Sequence, residues 1–459
     1  MVAFSVEHKR VMVVGGGRSG VAAAELLVSR GAQVTLADSA GHLDAGDRLR
    51  ALGVRLELGP HRPDQFAGAD LVVLSPGVPP DQPAVLAARR AGVPVIGEVE
   101  LASRWLQGRM IAITGTKGKS TTTTLTARML EEAGIATTAG GNLGQALSTQ
   151  VGASRRDTWH VVEVSSFQLE ATDTFHPEIA VLLNLSADHL DRHVSVDEYW
   201  AAKARVFANQ TADDWAVVNA DDPNALALAR RGRARHFDFA LDTTLRDGVT
   251  VDGGSIVRRD KGAAAVLVPL ASVHLPGRHL LTDVLAATAV GCLVGVPPTA
   301  IRRAVETFKG LEHALERVAE VNGITFVNDS KATNIASARK AIESFDKGVV
   351  VIMGGRFKGG RFEDLQDVVA AHVTTVVAIG ESRSLVKDAL GDIVPVLEAA
   401  SMGDAVRMAF ESARPGGVVL LAPAGSSFDM FRDYAERGRT FKEEVTRLEK
   451  TPGVSLPRT

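Results

Sequence analysis

A single cysteine, Cys292, stands among 459 residues, so an internal disulfide framework is excluded and a reducing compartment fits. It lies in the small apolar stretch 286–294, where a buried structural thiol is expected rather than a nucleophile. Long apolar runs are also missing. The longest, 284–298, is too short for a membrane span and ends in Pro297 and Pro298. Charge of one sign is not in excess: 51 basic against 54 acidic side chains leave −3, and no global field draws nucleic acid or anionic lipid. Residues 1–10 hold no apolar stretch of the signal-peptide kind, and a cytoplasmic protein is expected. Repeats and low-complexity tracts are absent. At about 150 residues per domain, this length predicts roughly three.

What is present is organised around M-I-A-I-T-G-T-K-G-K-S-T at 110–121. The apolar run 110–113 predicts a buried strand, and the turn after it predicts a helix starting near Ser120. A strand, a glycine loop and a helix N-terminus in that order build an anion site, because the loop and first-turn amides have no intrahelical partner. Lys119 would add positive charge at the outer phosphates of a nucleotide. The hydroxyl of Ser120 or Thr121 would reach a phosphate-bound Mg²⁺. The turn is shorter than G-x-x-x-x-G-K-[ST], with Ile113 where the first glycine would stand. In isolation a basic strand-to-helix turn reads the same way.

Upstream, a buried strand at 11–14 precedes G-G-G-R-S-G at 15–20, a helix over 21–29 and a second strand over 33–37 ending at Asp38. This is the G-x-G-x-x-G arrangement of a Rossmann-like nucleotide site, whose acidic residue meets ribose hydroxyls. Taken alone, it leaves an NAD-dependent oxidoreductase open. A strand at 71–74 ends in S-P-G-V-P, which puts Ser75 and Gly77 where a diphosphate or sugar would sit. A rigid turn set by Pro76 explains the same letters.

Downstream, G-G-N-L-G at 140–144 offers close backbone approach and the amide of Asn142. A strand at 160–164 brings Glu163 to its end, a carboxylate placed for Mg²⁺. The strand 179–185 delivers Asn184, Asp188, His189 and Asp191. A helix over 196–209 puts Tyr199, Lys203 and Phe207 on one face, with Ala201, Ala202 and Ala204 leaving room beside the lysine. Residues 237–275 read as a small β layer. In the last third, strands at 324–327, 349–353, 374–379 and 418–421 alternate with helices. They predict a second parallel sheet with polar loops at its strand ends.

Assembled, these segments resemble the Mur ligase family along nearly the whole chain. The motifs are G-T-K-G-K-S-T at 115–121, G-G-N-L-G at 140–144, E-V-S-S-F-Q-L-E at 163–170 and N-L-S-A-D-H-L-D-R-H at 184–193. Y-W-A-A-K at 199–203, N-D-S-K-A-T-N at 328–334 and S-S-F-D-x-F at 426–431 complete them. The S-S-F-Q-L-E and N-D-S-K-A-T-N segments look like those of the members that add D-glutamate.

The resemblance implies an α/β chain of three domains. They are a UDP-binding Rossmann-like domain at 1–97, a central P-loop ATPase-type domain at 98–310 and a Rossmann-like C-terminal domain at 311–459 for the incoming amino acid. It implies ATP-dependent joining of D-glutamate to UDP-N-acetylmuramoyl-L-alanine through an acyl phosphate, in cytoplasmic peptidoglycan precursor synthesis. It further implies a monomer, without nucleic acid or membrane insertion. By matching motifs, ATP would meet Gly115, Thr116, Lys117, Gly118, Lys119, Ser120 and Thr121, together with Asp283, Asp329 and Lys331. The UDP substrate would meet Gly17, Arg18, Ser19, Asp38, Ser75, Gly77, Asn142 and Ser165. D-Glutamate would meet Thr333, Lys358, Ser427 and Tyr434.

Two magnesium sites would draw on Ser120, Glu163, His189 and Lys203, the last as a carbamate formed with CO₂. Lys119, Lys203, His189 and Glu163 would be the catalytic groups. The chain departs from the family where Leu280 and Asp283 replace frequent Asn residues and Ala314 a frequent Arg. Another amino-acid ligase of the family, or a nucleotide-binding regulator without turnover, is the alternative reading.

Overall fold

The computed structural model describes residues 4–189, 192–275, 277–357 and 360–450. The chain folds as two compact units, Met1–Phe308 and Lys309–Thr459.

The first unit opens with a parallel sheet of β1 (Arg10–Val14), β2 (Gln33–Asp38), β3 (Arg55–Leu58), β4 (Leu71–Leu74) and β5 (Val95–Gly97). Its strand order is β3-β2-β1-β4-β5. The order reverses beside β1, which pairs with both β2 and β4, so a crevice opens at the C-terminal ends of β1 and β4. Val13, Val14, Val72 and Val73 are fully buried, as expected of strands covered on both faces.

The same unit contains a second parallel sheet: β6 (Arg109–Thr114), β7 (Thr137–Gly141), β8 (Trp159–Glu163), β9 (Ile179–Leu182), β10 (Trp215–Val218) and β11 (Arg235–His236). Here the order is β11-β10-β9-β6-β8-β7, with the reversal beside β6. The helix Lys119–Glu132 follows β6 directly, from Gly118 at φ +83°. A four-stranded layer of β12 (Phe239–Ala240), β13 (Gly248–Asp252), β14 (Ser255–Asp260) and β15 (Ala263–Pro269) completes the unit.

The second unit is one sheet of β16 (Glu316–Val321), β17 (Ile324–Asn328), β18 (Val349–Gly354), β19 (Val373–Ile379), β20 (Val396–Ala399) and β21 (Val418–Ala424). The order β16-β17-β21-β18-β19-β20 is parallel except for the β16–β17 pair. The C-terminal helix Tyr434–Lys450 buries Phe441 and Val445 against it.

Five strands escaped the sequence reading: β3, β7, β11, β16 and β20. Each is the outer strand of its sheet. Exposed on one flank, they carry mixed residues (T-T-A-G-G in β7, V-L-E-A in β20) and lack the apolar run that marks a central strand. The strand expected over 179–185 stops at Leu182, and the helix expected over 196–209 stops at Ala204 before a short 3₁₀ turn. Among the described residues, no helix is long and apolar enough to cross a membrane.

Candidate active site

Two lysines converge on one carbonyl. Lys203 Nζ donates to the Gly115 oxygen at 2.7 Å and Lys119 Nζ to the same oxygen at 2.9 Å, with a second bond from Lys119 to Thr116 O at 3.0 Å. The loop between them is held from the end of β9. Asn184 Oδ1 accepts from Lys117 N at 2.9 Å while its Nδ2 donates to Lys117 O at 3.1 Å. Thr116 Oγ1 accepts from Ser186 N at 3.1 Å. The early end of β9 is thus what frees residues 183–186 to form this cradle. Gly118 is required twice over: its φ is positive, and a Cβ there would fall 2.0 Å from Asp283 Oδ1.

Glu163 ends β8 beside Ile113 of β6, which sets its carboxylate next to the start of the helix. Its Oε2 accepts from Ser120 Oγ at 2.7 Å and its Oε1 from Asn142 Nδ2 at 2.7 Å. A hydroxyl and a carboxylate side by side are the hard oxygen donors that Mg²⁺ takes. That ion is usually held by one or two carboxylates plus phosphate oxygens, so this pair fits it. Among the described residues no three His, Cys, Asp or Glu side chains converge as a metal cage. His189, at φ +54°, sets its ring edge-on to Phe167 (5.0 Å) and 6.0 Å from Tyr199. Asp191 lies outside the described residues.

Lys203 is 1% exposed, with Nζ 4.5 Å from the centre of the Tyr199 ring. Burial, helped by the charge of Lys119, lowers its pKa to about 7. Tyr199 and Lys203 do share the buried face that their spacing predicts. Asp283, on the helix Arg278–Val294, is also buried, and burial pushes its pKa up to about 8 against the opposing charge of Lys119. Thr116 and Thr121 are buried, whereas Lys117 is exposed.

The glycine loop after β1 lines a cleft of about 340 Å³ with Gly15, Gly17, Asp38, Ser75, Gly77 and His61 among its walls. Asp38 is already engaged: its carboxylate accepts from Gly16 N and, at 2.8 Å, from Ala40 N. Its first task is to hold the loop. Gly20 is forced by packing, since a Cβ would fall 1.8 Å from Gly15 O. Arg18 reaches away from the loop to Gly144 O at 3.0 Å, and Ser19 is half-buried in the first helical turn. Ser165 Oγ caps the helix Ser166–Glu170 by accepting from Gln168 N at 3.3 Å. Gly140 and Gly141 serve chain-to-chain packing, because Cβ atoms there would meet Gln150 Nε2 at 2.1 Å and Glu163 O at 2.4 Å. His61 was missed by the sequence reading, as it sits alone in a loop with no motif around it.

In the second unit, Asp329, Lys331 and Thr333 follow β17, and Ser427 follows β21. Ser427 is 2% exposed and its carbonyl accepts from Phe431 N at 2.8 Å. Asp329 is buried, which pushes its pKa up to about 6. Lys331 is exposed, Thr333 half-buried, and Tyr434 is exposed with its ring 6.2 Å from that of His313. Lys358 lies outside the described residues. The sequence reading also passed over Arg437, a guanidinium buried at the ends of these strands.

Residues 9–97 match the Mur ligase MurD-like N-terminal domain, 113–291 the Mur ligase middle domain and 315–425 the Mur ligase glutamate ligase domain. A UDP-N-acetylmuramoylalanine–D-glutamate ligase from Acidobacterium capsulatum is 46% identical over 445 residues, covering 96% of both chains. One from Koribacter versatilis is 43% identical, covering 96% of this chain and 98% of its own. In fold, the chain is similar to the UDP-N-acetylmuramate–alanine ligase of Thermotoga maritima, at 21% identity and a TM-score of 0.58 over 96% of this chain and 100% of that one. It is likewise similar to the MurF ligase of the same organism, at 15% identity and 0.55 over 97% and 96%. Full-length identity of this order, over matches to three Mur ligase domains in sequence, establishes that the chain belongs to the Mur ligase family.

Proposed function

We propose that this protein is an ADP-forming ligase that joins D-glutamate to UDP-N-acetylmuramoyl-L-alanine. The observation that carries the ATP chemistry is the Ser120–Glu163 pair at 2.7 Å, set beside a phosphate loop with two lysines on its Gly115 carbonyl. The choice of amino acid rests on the relatives of that name, which match over nearly the full chain.

Amide formation from a carboxylate in water is uphill, so the carboxylate is activated first. The muramoyl-alanine carboxylate attacks the γ-phosphorus of ATP, forming an acyl phosphate and releasing ADP. The amine of D-glutamate then attacks the acyl carbon, loses a proton and expels phosphate. Lys119 and the first amides of the helix Lys119–Glu132 bind and orient the phosphates. Ser120 and Glu163 would hold Mg²⁺, which when bound offsets charge on the transferred group. Lys203, with its amine free of a proton in part at neutral pH, would take up CO₂ as a carbamate and supply oxygens toward a second magnesium site, with His189 nearby.

In this reading the cleft at β1 and β4 binds the UDP moiety, and Asn142 and Ser165 face the same substrate. Thr333, Ser427 and Tyr434, with Lys358 by motif, hold D-glutamate, while Asp329 and Lys331 serve the nucleotide. The working divisions are 1–97, 98–310 and 311–459. The enzyme is proposed to act as a cytoplasmic monomer. Phosphate release is the test, measured with ATP, Mg²⁺, UDP-N-acetylmuramoyl-L-alanine and one amino acid at a time. D-Glutamate should drive it; equal turnover with L-glutamate, L-alanine or a diamino acid would overturn the assignment.

A further inference from the structure

Arg437 heads the large side chains that are fully buried, at 1% exposure. Its guanidinium lies across the C-terminal ends of three adjacent strands. Nε donates to Ser330 Oγ at 3.0 Å and Nη2 to Ser330 O at 2.9 Å, both just past β17. Nη1 donates to Gly425 O at 3.0 Å, just past β21. At the end of β18, a Cβ on Gly355 would fall 3.2 Å from Nη1. Ser330 Oγ passes the chain of bonds on to Tyr434 O at 2.7 Å. The next residue, Gly438, brings the helix so close that a Cβ would fall 2.2 Å from His313 Nδ1. Arg437 therefore enters at a point where the helix cannot shift.

These three acceptors, Ser330 Oγ, Ser330 O and Gly425 O, are neutral. Among the described residues no carboxylate pairs with this guanidinium, and Asp429 acts on it only from a distance. Burial lowers its pKa to about 10, which leaves it cationic at neutral pH. Neutral oxygens satisfy the N–H groups but leave the charge uncompensated, a costly thing to bury where an apolar side chain of similar length would pack. Strand C-termini are also where such sheets bind their ligands. The two loops that the guanidinium ties together are 328–334, which carries Thr333, and 423–428, which carries Ser427; they meet again where Ala424 N donates to Ala332 O at 2.9 Å.

We propose that Arg437 is a positioning residue for the amino-acid substrate: it fixes the spacing of the Thr333 and Ser427 loops, and its unneutralised cation favours a carboxylate-bearing amino acid there. This rests on the function proposed above. The test is steady-state kinetics on the full-length enzyme with Arg437→Met, which removes the charge, and Arg437→Lys, which keeps it but loses the fork. KM is determined separately for D-glutamate, ATP and the UDP substrate, and thermal unfolding is followed alongside.

Arg437→Met should raise the D-glutamate KM about ten-fold or more, as loss of charge-assisted hydrogen bonds predicts, with the other two KM values nearly unchanged. Arg437→Lys should recover part of that loss. A purely structural residue would lower kcat and the melting temperature while leaving the D-glutamate KM alone, and that result overturns the proposal. If Arg437→Met does not fold, Ser330→Ala decides, since it keeps the cation and removes the hydroxyl that links Nε to Tyr434 O: an unchanged D-glutamate KM there overturns it as well. Absence of wild-type turnover with D-glutamate, seen before any variant is made, would overturn the functional reading and this role with it.

Discussion

Lys203 Nζ donates to the Gly115 carbonyl oxygen across 2.7 Å, although 88 positions separate the two residues. Lys119 holds the same oxygen, so two amines crowd one acceptor at the mouth of the phosphate loop. Two ammonium ions so placed repel each other, and one of them, Lys203, is buried. The arrangement favours a neutral Lys203, which is the form that reacts with CO₂. Lys203→Arg keeps a cation and cannot form the carbamate. It should lose at least the roughly 10–100-fold in kcat that removing support from a metal site costs, while the fold is retained. Wild-type enzyme stripped of CO₂ at mildly acidic pH should regain its lost activity with bicarbonate at neutral pH. Full activity in Lys203→Arg would return the lysine to a structural role.

The same shift makes stability depend on pH. An unfolded lysine keeps its proton up to its ordinary value of 10.5, whereas burial makes Lys203 release it near about 7. Between those values the unfolded chain binds more protons, so stability rises with pH; below about 7 the full cost of burying an ammonium is present. Lys203→Met should therefore raise the melting temperature most at pH 6–7, by an increment that shrinks toward pH 10 (calorimetry across that range measures it). An increment independent of pH would show that the lysine is solvated.

Much of this was legible in the sequence, for physical reasons that also mark where legibility ends. Central parallel strands such as β1, β6 and β9 are buried on both faces, so their apolar runs stand out and the loops at their ends can be read as ligand sites. The one-face spacing of Tyr199 and Lys203 survives folding because a helix preserves it. Outer strands do not announce themselves, and neither do residues whose partners come from far along the chain. That Asp38, read as a ribose contact, also holds Gly16 N–H, and that Arg18, read as a contact of the UDP substrate, also bonds Gly144 O, shows only in the fold. Arg437 lies in a charged terminal helix where an arginine is ordinarily solvated, and only the fold brings it to Ser330, 107 positions away.

Asp283 provides a second titration with the opposite sign. Its pKa is pushed from 3.8 to about 8 by burial, so between those values the folded state binds more protons and stability falls as pH rises. Above about 8 the carboxylate is charged against the phosphate loop, where its Oδ1 would lie 2.0 Å from a Cβ on Gly118. Asp283→Asn should raise the melting temperature, little near pH 4 and most above pH 8. It should also flatten any rise of the ATP KM at alkaline pH, because an anion beside the loop opposes bound phosphates. Equal stabilisation at pH 5 and pH 9 would sink this account.

The glycine loop after β1 separates two kinds of glycine, and the separation can be measured. A Cβ on Gly20 would fall 1.8 Å from Gly15 O and 3.0 Å from Ser75 Oγ, so backbone must move to admit it. A Cβ on Gly17 would meet nothing within 4 Å, and its φ of −67° suits any residue. Gly20→Ala should cost about 1–3 kcal/mol, the usual range for overpacking a filled site. It should raise the KM for the UDP substrate while sparing that for D-glutamate, since the displaced backbone forms the wall of the β1–β4 cleft. Gly17→Ala should stay within about 0.5 kcal/mol of wild type, as surface changes do. Urea unfolding of the two variants side by side reads the difference. If Gly20→Ala is as stable as Gly17→Ala, the close packing of helix Arg18–Ser29 on this loop does not hold, and neither does the cleft it shapes.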